Sequence, residues 1–219
     1  MSSVEFLAWV RGPAFDVAIT VFSLGVLVRL IEIFLLGRKP DFSEPVQGPW
    51  GPGMRTVFRR FGTDRGTLKR EPFTILLGYV FHIGFLIALI GFVPHIQLFE
   101  QWLGVRWPGL TTPLVDAATV VTILTLIAVL LYRLLNPVRR FLSRFEDYLV
   151  WTLTFLPMLT GYLSYHRLLL PYDAMLGVHI LSVEVLLVLF PFTKLMHAFT
   201  LWPARWYNGA IAGRKGVQS

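Results

Sequence analysis

Five histidines stand in this chain: His82, His95, His166, His179 and His197. Four of them lie within or at the ends of two apolar runs, "LLGYVFHIGFLIALIGFVPH" and "HILSVEVLLVLFPFTKLMH". An ionisable side chain at membrane depth is costly, which makes it a functional candidate. A single buried histidine reads equally well as a hydrogen-bonded core residue, but two on each of two apolar segments is a pattern. Neutral imidazole ligates metals. Zinc needs three or four ligands in one place, whereas these histidines are several turns apart. Pairs of imidazoles on facing helices suit the axial positions of haem iron.

The elements that carry them follow from the apolar runs. Of the 219 residues, 55% are hydrophobic and the mean hydropathy is +0.62. A helix needs about 20 residues to cross a bilayer. Five runs qualify, at 14–36, 73–94, 114–135, 147–165 and 174–199. The expected fold is an all-α membrane protein, a single membrane domain over 1–219 with five transmembrane helices in a bundle. The runs are too long and continuous for barrel strands. The start "MSSVEFLAWVRGPAF" has no basic stretch ahead of a short apolar core, so no cleaved signal peptide is expected. Gly37 and Pro40 are expected to stop the first helix.

Position along the helices pairs the histidines. His179 and His197 are 18 residues apart, five whole turns, which puts them on one face about 27 Å apart if the helix is continuous. With the second and fifth helices antiparallel, His82 comes level with His197 and His95 with His179. Around a straight helix His95 points about 220° away from His82. Pro94 directly precedes His95, and a kink there would re-aim the ring. Gly78, Gly84, Gly91 and Gly177 leave room for a flat ligand or for ordinary helix packing.

Charge sets the expected orientation. Lysines and arginines number 20 against 13 acidic residues, a net charge of +7. Eight fall in the loop 37–72, four at 133–144 and four at 194–215, all on one side of the five-helix arrangement. The positive-inside rule places the N-terminus outside and the C-terminus in the cytoplasm. The basic balance therefore speaks for a membrane surface, not nucleic acid. The stretch "MRTVFRRFGTDRGTLKREP" suits either anionic lipid or an acidic cytoplasmic partner. Cysteine is absent, so any iron–sulfur cluster belongs to a partner.

The motifs "FHIG" and "VLFPFTKLMH" resemble the gamma subunit of respiratory nitrate reductase. The resemblance covers about residues 14–200. It implies a five-helix cytochrome with two haem b groups, passing electrons between the membrane quinone pool and an iron–sulfur subunit. Similar subunits serve several redox complexes, so the implied link is to quinone, not to a terminal substrate. By position, His82 and His197 match the inner haem ligands and His179 one ligand of the outer haem. The family's fourth ligand position is Phe92 here, and His95 is the nearest histidine, with His166 a substitute.

Other residues carry weaker signals. Trp102, Arg106 and Trp107 join His95 as candidates for a quinone site on the outer side. Arg29 reads as a partner of Glu32, as a snorkelling side chain, or as a contact for a haem propionate. Glu184 reads as a proton carrier or as a neutral acid bonded to a neighbouring helix. Thr119, Thr122 and Thr125 read as helix packing, Asp116 as a solvated residue near the membrane surface, and His166 as a solvated loop histidine, a quinone contact or a substitute haem ligand. The reading from another class is a haem-free structural anchor or small transporter subunit. The localisation expected is a prokaryotic inner membrane.

Overall fold

The structure is a computed structural model and describes residues 2–35, 42 and 44–217. Among them the chain forms helices and short 3-10 turns, with no strand. Prolines, which lack the N–H that a first turn leaves unpaired, occupy the first or second position of five helices. In order the helices are α1 (Ser3–Arg11), α2 (Pro13–Leu35), α3 (Trp50–Arg59), α4 (Arg65–Arg70), α5 (Pro72–Gly91), α6 (Val93–Leu103), α7 (Thr112–Leu135), α8 (Pro137–Leu142), α9 (Phe145–Tyr165), α10 (Tyr172–Leu189) and α11 (His197–Arg214). The expected stop at Gly37 and Pro40 lies outside the described residues, as do Arg38 and Lys39.

Four segments are long and apolar enough to cross a membrane: Ser3–Leu35, Pro72–Gly91, Thr112–Leu135 and Tyr172–Phe192. Only 11 to 22% of their most apolar windows is buried within the chain. Exposed apolar helix faces of that extent mark a membrane environment. The fourth expected span, α9, is 21 residues long but more polar. Thr152, Thr154 and Thr160 on it return their hydroxyls to carbonyls of the preceding turn.

The chain divides into two compact units. The first comprises residues 1–20 and 71–188, the second residues 21–70 and 189–219. In the first, Ala88, Leu126 and Met158 form a core across α5, α7 and α9, covered by Phe81, Phe85, Trp151 and Phe155. Gly84 lies directly against Thr122 of α7, where a β-carbon would not fit. Thr122 is fully buried and bonds Ala118 O, so the threonine stripe is helix packing. Trp151 Nε1 donates to Leu126 O at 2.8 Å. Arg139 binds Glu71, and Arg133 lies 3.7 Å from Asp147.

In the second unit the amphipathic α3 buries Gly53, Thr56 and Val57. It packs on α11, whose Gly209 and Gly213 admit Thr56 and Pro52. The basic stretch expected as loop is thus largely helical, with Arg55, Arg59 and Arg60 left exposed.

The helix expected over 174–199 is in pieces. α10 ends at Leu189, two 3-10 turns follow at Phe190–Phe192 and Lys194–Met196, and α11 begins at His197. Pro191 lacks an N–H and its ring obstructs a continuing α-helix, and Thr193 is extended at φ −124° and ψ 175°. Whole-turn counting from His179 to His197 therefore does not apply.

Candidate functional site

α5 also ends sooner than the apolar run. Phe92 is extended, at φ −81° and ψ 124°, and Pro94 takes the second position of α6. A helix end leaves its last four carbonyls without backbone partners. Three of these four find partners here. His95 Nδ1 meets Ala88 O at 3.0 Å, Trp107 Nε1 donates to Ile90 O at 2.6 Å, and the Leu110 N–H donates to Gly91 O at 2.8 Å. Two of the residues singled out for chemistry thus cap a broken helix, and that cap fixes the direction of the His95 ring.

The direction is toward His179. The ring centroids of His95 and His179 are 6.3 Å apart and their planes 24° from parallel. Both side chains are half-buried. Burial pushes the His95 imidazole below the usual histidine range and favours its neutral form. His179 Nδ1 lies 3.3 Å from Thr160 Oγ1 on α9. That hydroxyl donates its own proton to Leu156 O at 2.6 Å, so its oxygen accepts from the His179 N–H. Gly161 makes the approach possible, because a β-carbon there would stand 3.0 Å from His179 Cε1. Both histidines are therefore held with Nδ1 protonated and Nε2 carrying the lone pair, as in metal-ligating histidines oriented by a neighbouring acceptor. No hydrogen bond to either Nε2 is seen among the described residues.

The spacing fits an iron between the rings. Two imidazoles bonded to one metal at about 2 Å, each ring centre roughly 1 Å further back, have centres about 6 Å apart. An offset pair of rings in plain contact also falls in this range. Among the described residues there is no group of three or more His, Cys, Asp or Glu that could hold a metal ion.

His82 and His197 are not brought together within one unit. His82, exposed on α5, turns Nδ1 to Gly78 O at 2.6 Å. His197, exposed at the start of α11, turns Nδ1 to Lys194 O at 2.8 Å. All four histidines of the apolar runs thus use Nδ1 against oxygen. His166 differs, with Nε2 2.7 Å from Asp116 Oδ1. These two residues bind each other.

The quinone-site candidates divide. A cavity of about 410 Å³ is lined by Val93, Ile96, Gln97, Arg106, Trp107 and Gly109. Trp102 instead packs on Phe15, and His95 faces His179. Arg29 bonds Glu32 at 2.9 Å and Pro191 O at 3.3 Å, so its guanidinium stabilises the break before His197. Glu184 is buried, with Oε1 lacking a partner among the described residues. Of the glycines, Gly84, Gly91 and Gly177 face Thr122, Leu110 and Phe6, while Gly78 beside His82 is open. Sequence reasoning passed over Thr160 and Gly161. Their only signal is two small residues one turn from Pro157 in a helix richer in hydroxyls than its neighbours.

No family model and no solved structure matches this chain. A protein of Nitratidesulfovibrio vulgaris (strain Hildenborough), described simply as "Protein", is 28% identical over 207 residues, which covers 90% of this chain and 89% of the relative.

Proposed function

We propose that this chain is a haem b-carrying membrane subunit that exchanges electrons between the quinone pool and a partner iron–sulfur subunit, as its resemblance to nitrate reductase gamma subunits implies. The observation that carries the reading is the His95–His179 pair, set 6.3 Å apart with each Nδ1 anchored on oxygen. A haem bound there supplies one-electron chemistry. The chain's own residues orient the ligands and exclude water. Ala88 O and Thr160 Oγ1 fix the two tautomers, and Gly161 leaves the ring its space. His82 and His197 remain the second ligand pair on their sequence match alone. The cavity at Arg106 and Trp107 is of a size that suits a quinone headgroup.

In this reading α9 is the fifth span, the N-terminus lies outside and the C-terminus in the cytoplasm of a prokaryotic inner membrane. The exposed Arg55, Arg59 and Arg60 of the second unit then meet the partner. Reversing Arg59 and Arg60 to glutamate is expected to release that partner during purification, since such contacts are charge-steered and weakened by salt. Unchanged co-purification would assign this face to lipid.

The deciding experiment is the reduced-minus-oxidised spectrum of the purified protein, with haem per chain measured as the pyridine haemochrome. A Soret and α-band are expected, and His95→Ala is expected to lose one haem per chain. A colourless parent preparation would leave the haem-free anchor or transporter subunit standing.

A further inference from the structure

Asp116 and His166 are 50 residues apart in sequence, on α7 and at the end of α9, and they make a 2.7 Å contact. Their side chains are 35% and 33% exposed, so the chain leaves one side of the pair uncovered. Rings of the first unit connect it to the ligand pair on the other. His166 lies 5.3 Å from the Tyr165 ring, Tyr165 5.4 Å from Phe92, and Phe92 5.2 Å from His95. Tyr162 covers the imidazole at 4.4 Å. The next cation along, Arg167, is turned onto the Tyr172 ring. Asp116, Tyr162 and Tyr165 are therefore the titratable groups seen against His166.

The backbone there is held in an uncommon form. Arg167 and Leu169 have φ of 55° and 69°. A left-handed conformation costs a non-glycine residue roughly 1–2 kcal/mol. The Leu168 N–H closes the turn on Leu163 O at 2.9 Å, which is a helix ending that ordinarily uses glycine. Strained turns of this kind cluster where a side chain must be placed.

We propose that His166, oriented by Asp116, is the proton-accepting group for a quinol oxidised beside the His95–His179 pair. The inference rests on the haem reading above. Nε2–H of His166 donates to the carboxylate, which leaves the Nδ1 lone pair as the acceptor and stabilises the imidazolium once formed. A quinol gives up two electrons and two protons. A haem held by His95 and His179 would take up the electrons one at a time, and with each the quinol oxygen would give its proton to His166 Nδ1. The imidazolium then discharges to water and accepts again, and the partner subunit withdraws the electrons. With quinone as the electron acceptor the same steps run backwards.

The test uses the full chain in membrane vesicles with menadiol as the quinol probe. Haem content of the parent is taken first, so a colourless parent overturns the haem reading before any rate is measured. His166→Gln keeps a hydrogen bond to Asp116 but cannot accept the proton. It is expected to retain parental haem content, dithionite-reduced spectrum and menadione binding followed by tryptophan fluorescence. Menadiol-driven haem reduction is expected to slow about 100-fold. Asp116→Asn should slow reduction about tenfold. A parental rate of menadiol-driven haem reduction in His166→Gln would overturn the proposal. So would loss of haem or of menadione binding in both variants, which would make the pair part of the scaffold.

Discussion

The two histidine pairs that sequence register treats alike part company in the folded chain. His95 and His179 both belong to the first unit and stand ring to ring, each with Nδ1 tied to an oxygen of a neighbouring turn or helix. His82 and His197 fall in different units, and each ties Nδ1 to a carbonyl three or four residues back in its own segment. In the first pair the polypeptide between the two histidines supplies the geometry. The Phe92 break aims one ring, and Thr160 with Gly161 of α9 receives the other. In the second pair the Nδ1 bonds, to Gly78 O and Lys194 O, are local ones. A shared tautomer is thus not a shared site, and facing rings require elements that sequence register does not display.

The largest effect bearing on that contrast is expected at the second pair. If His82 and His197 ligate a haem as the sequence match implies, His197→Ala and His82→Ala each remove one haem per chain by pyridine haemochrome, and the double variant loses no more than either alone. The His95–His179 signal survives in all three. Full haem content in His197→Ala would break the parallel and make the two exposed histidines segment caps. The breadth of the remaining α-band would then report one haem environment instead of two.

Much of the architecture could be read from the chain. The apolar runs around 14–36, 73–94, 114–135 and 174–199 became four helical segments long enough to cross a membrane. A break near Pro94 was foreseen from the missing N–H of proline. The run ending at His197 was misjudged for the same physical reason underweighted. Pro191 sits in the interior of the expected helix, yet apolar continuity was allowed to outvote it. Pairing across helices was the least legible. Nothing local marks Asp116 for His166, or Thr160 for His179, because such contacts depend on rotation and depth of separate helices, and a shift of one residue turns a side chain by about 100°. Within the basic loop 37–72, Gly53, Thr56 and Val57 recur at helical spacing and are buried on α3, which packs on a helix, α11, that had not been anticipated.

A smaller effect would sharpen the comparison from the other side, at Thr160. Its hydroxyl donates to Leu156 O and accepts from His179 Nδ1, so it settles which imidazole nitrogen is left to ligate. Valine has nearly the same shape and keeps the packing of a side chain that is only 6% exposed. Thr160→Val should therefore leave the fold in place while freeing the His179 ring to rotate and change tautomer. Loss of such an orienting partner typically costs 10–100-fold in affinity, about 1.4–2.7 kcal/mol. Transfer of haem from the purified variant to apomyoglobin is expected to speed up by that factor for one haem per chain, with the other unaffected. The contrast lies in the counterpart residues, since His82 and His197 bond to backbone carbonyls that no substitution removes. If Thr160→Val retains both haems as tightly as the parent, the hydroxyl is only a helix back-bond and does not orient the His179 ring.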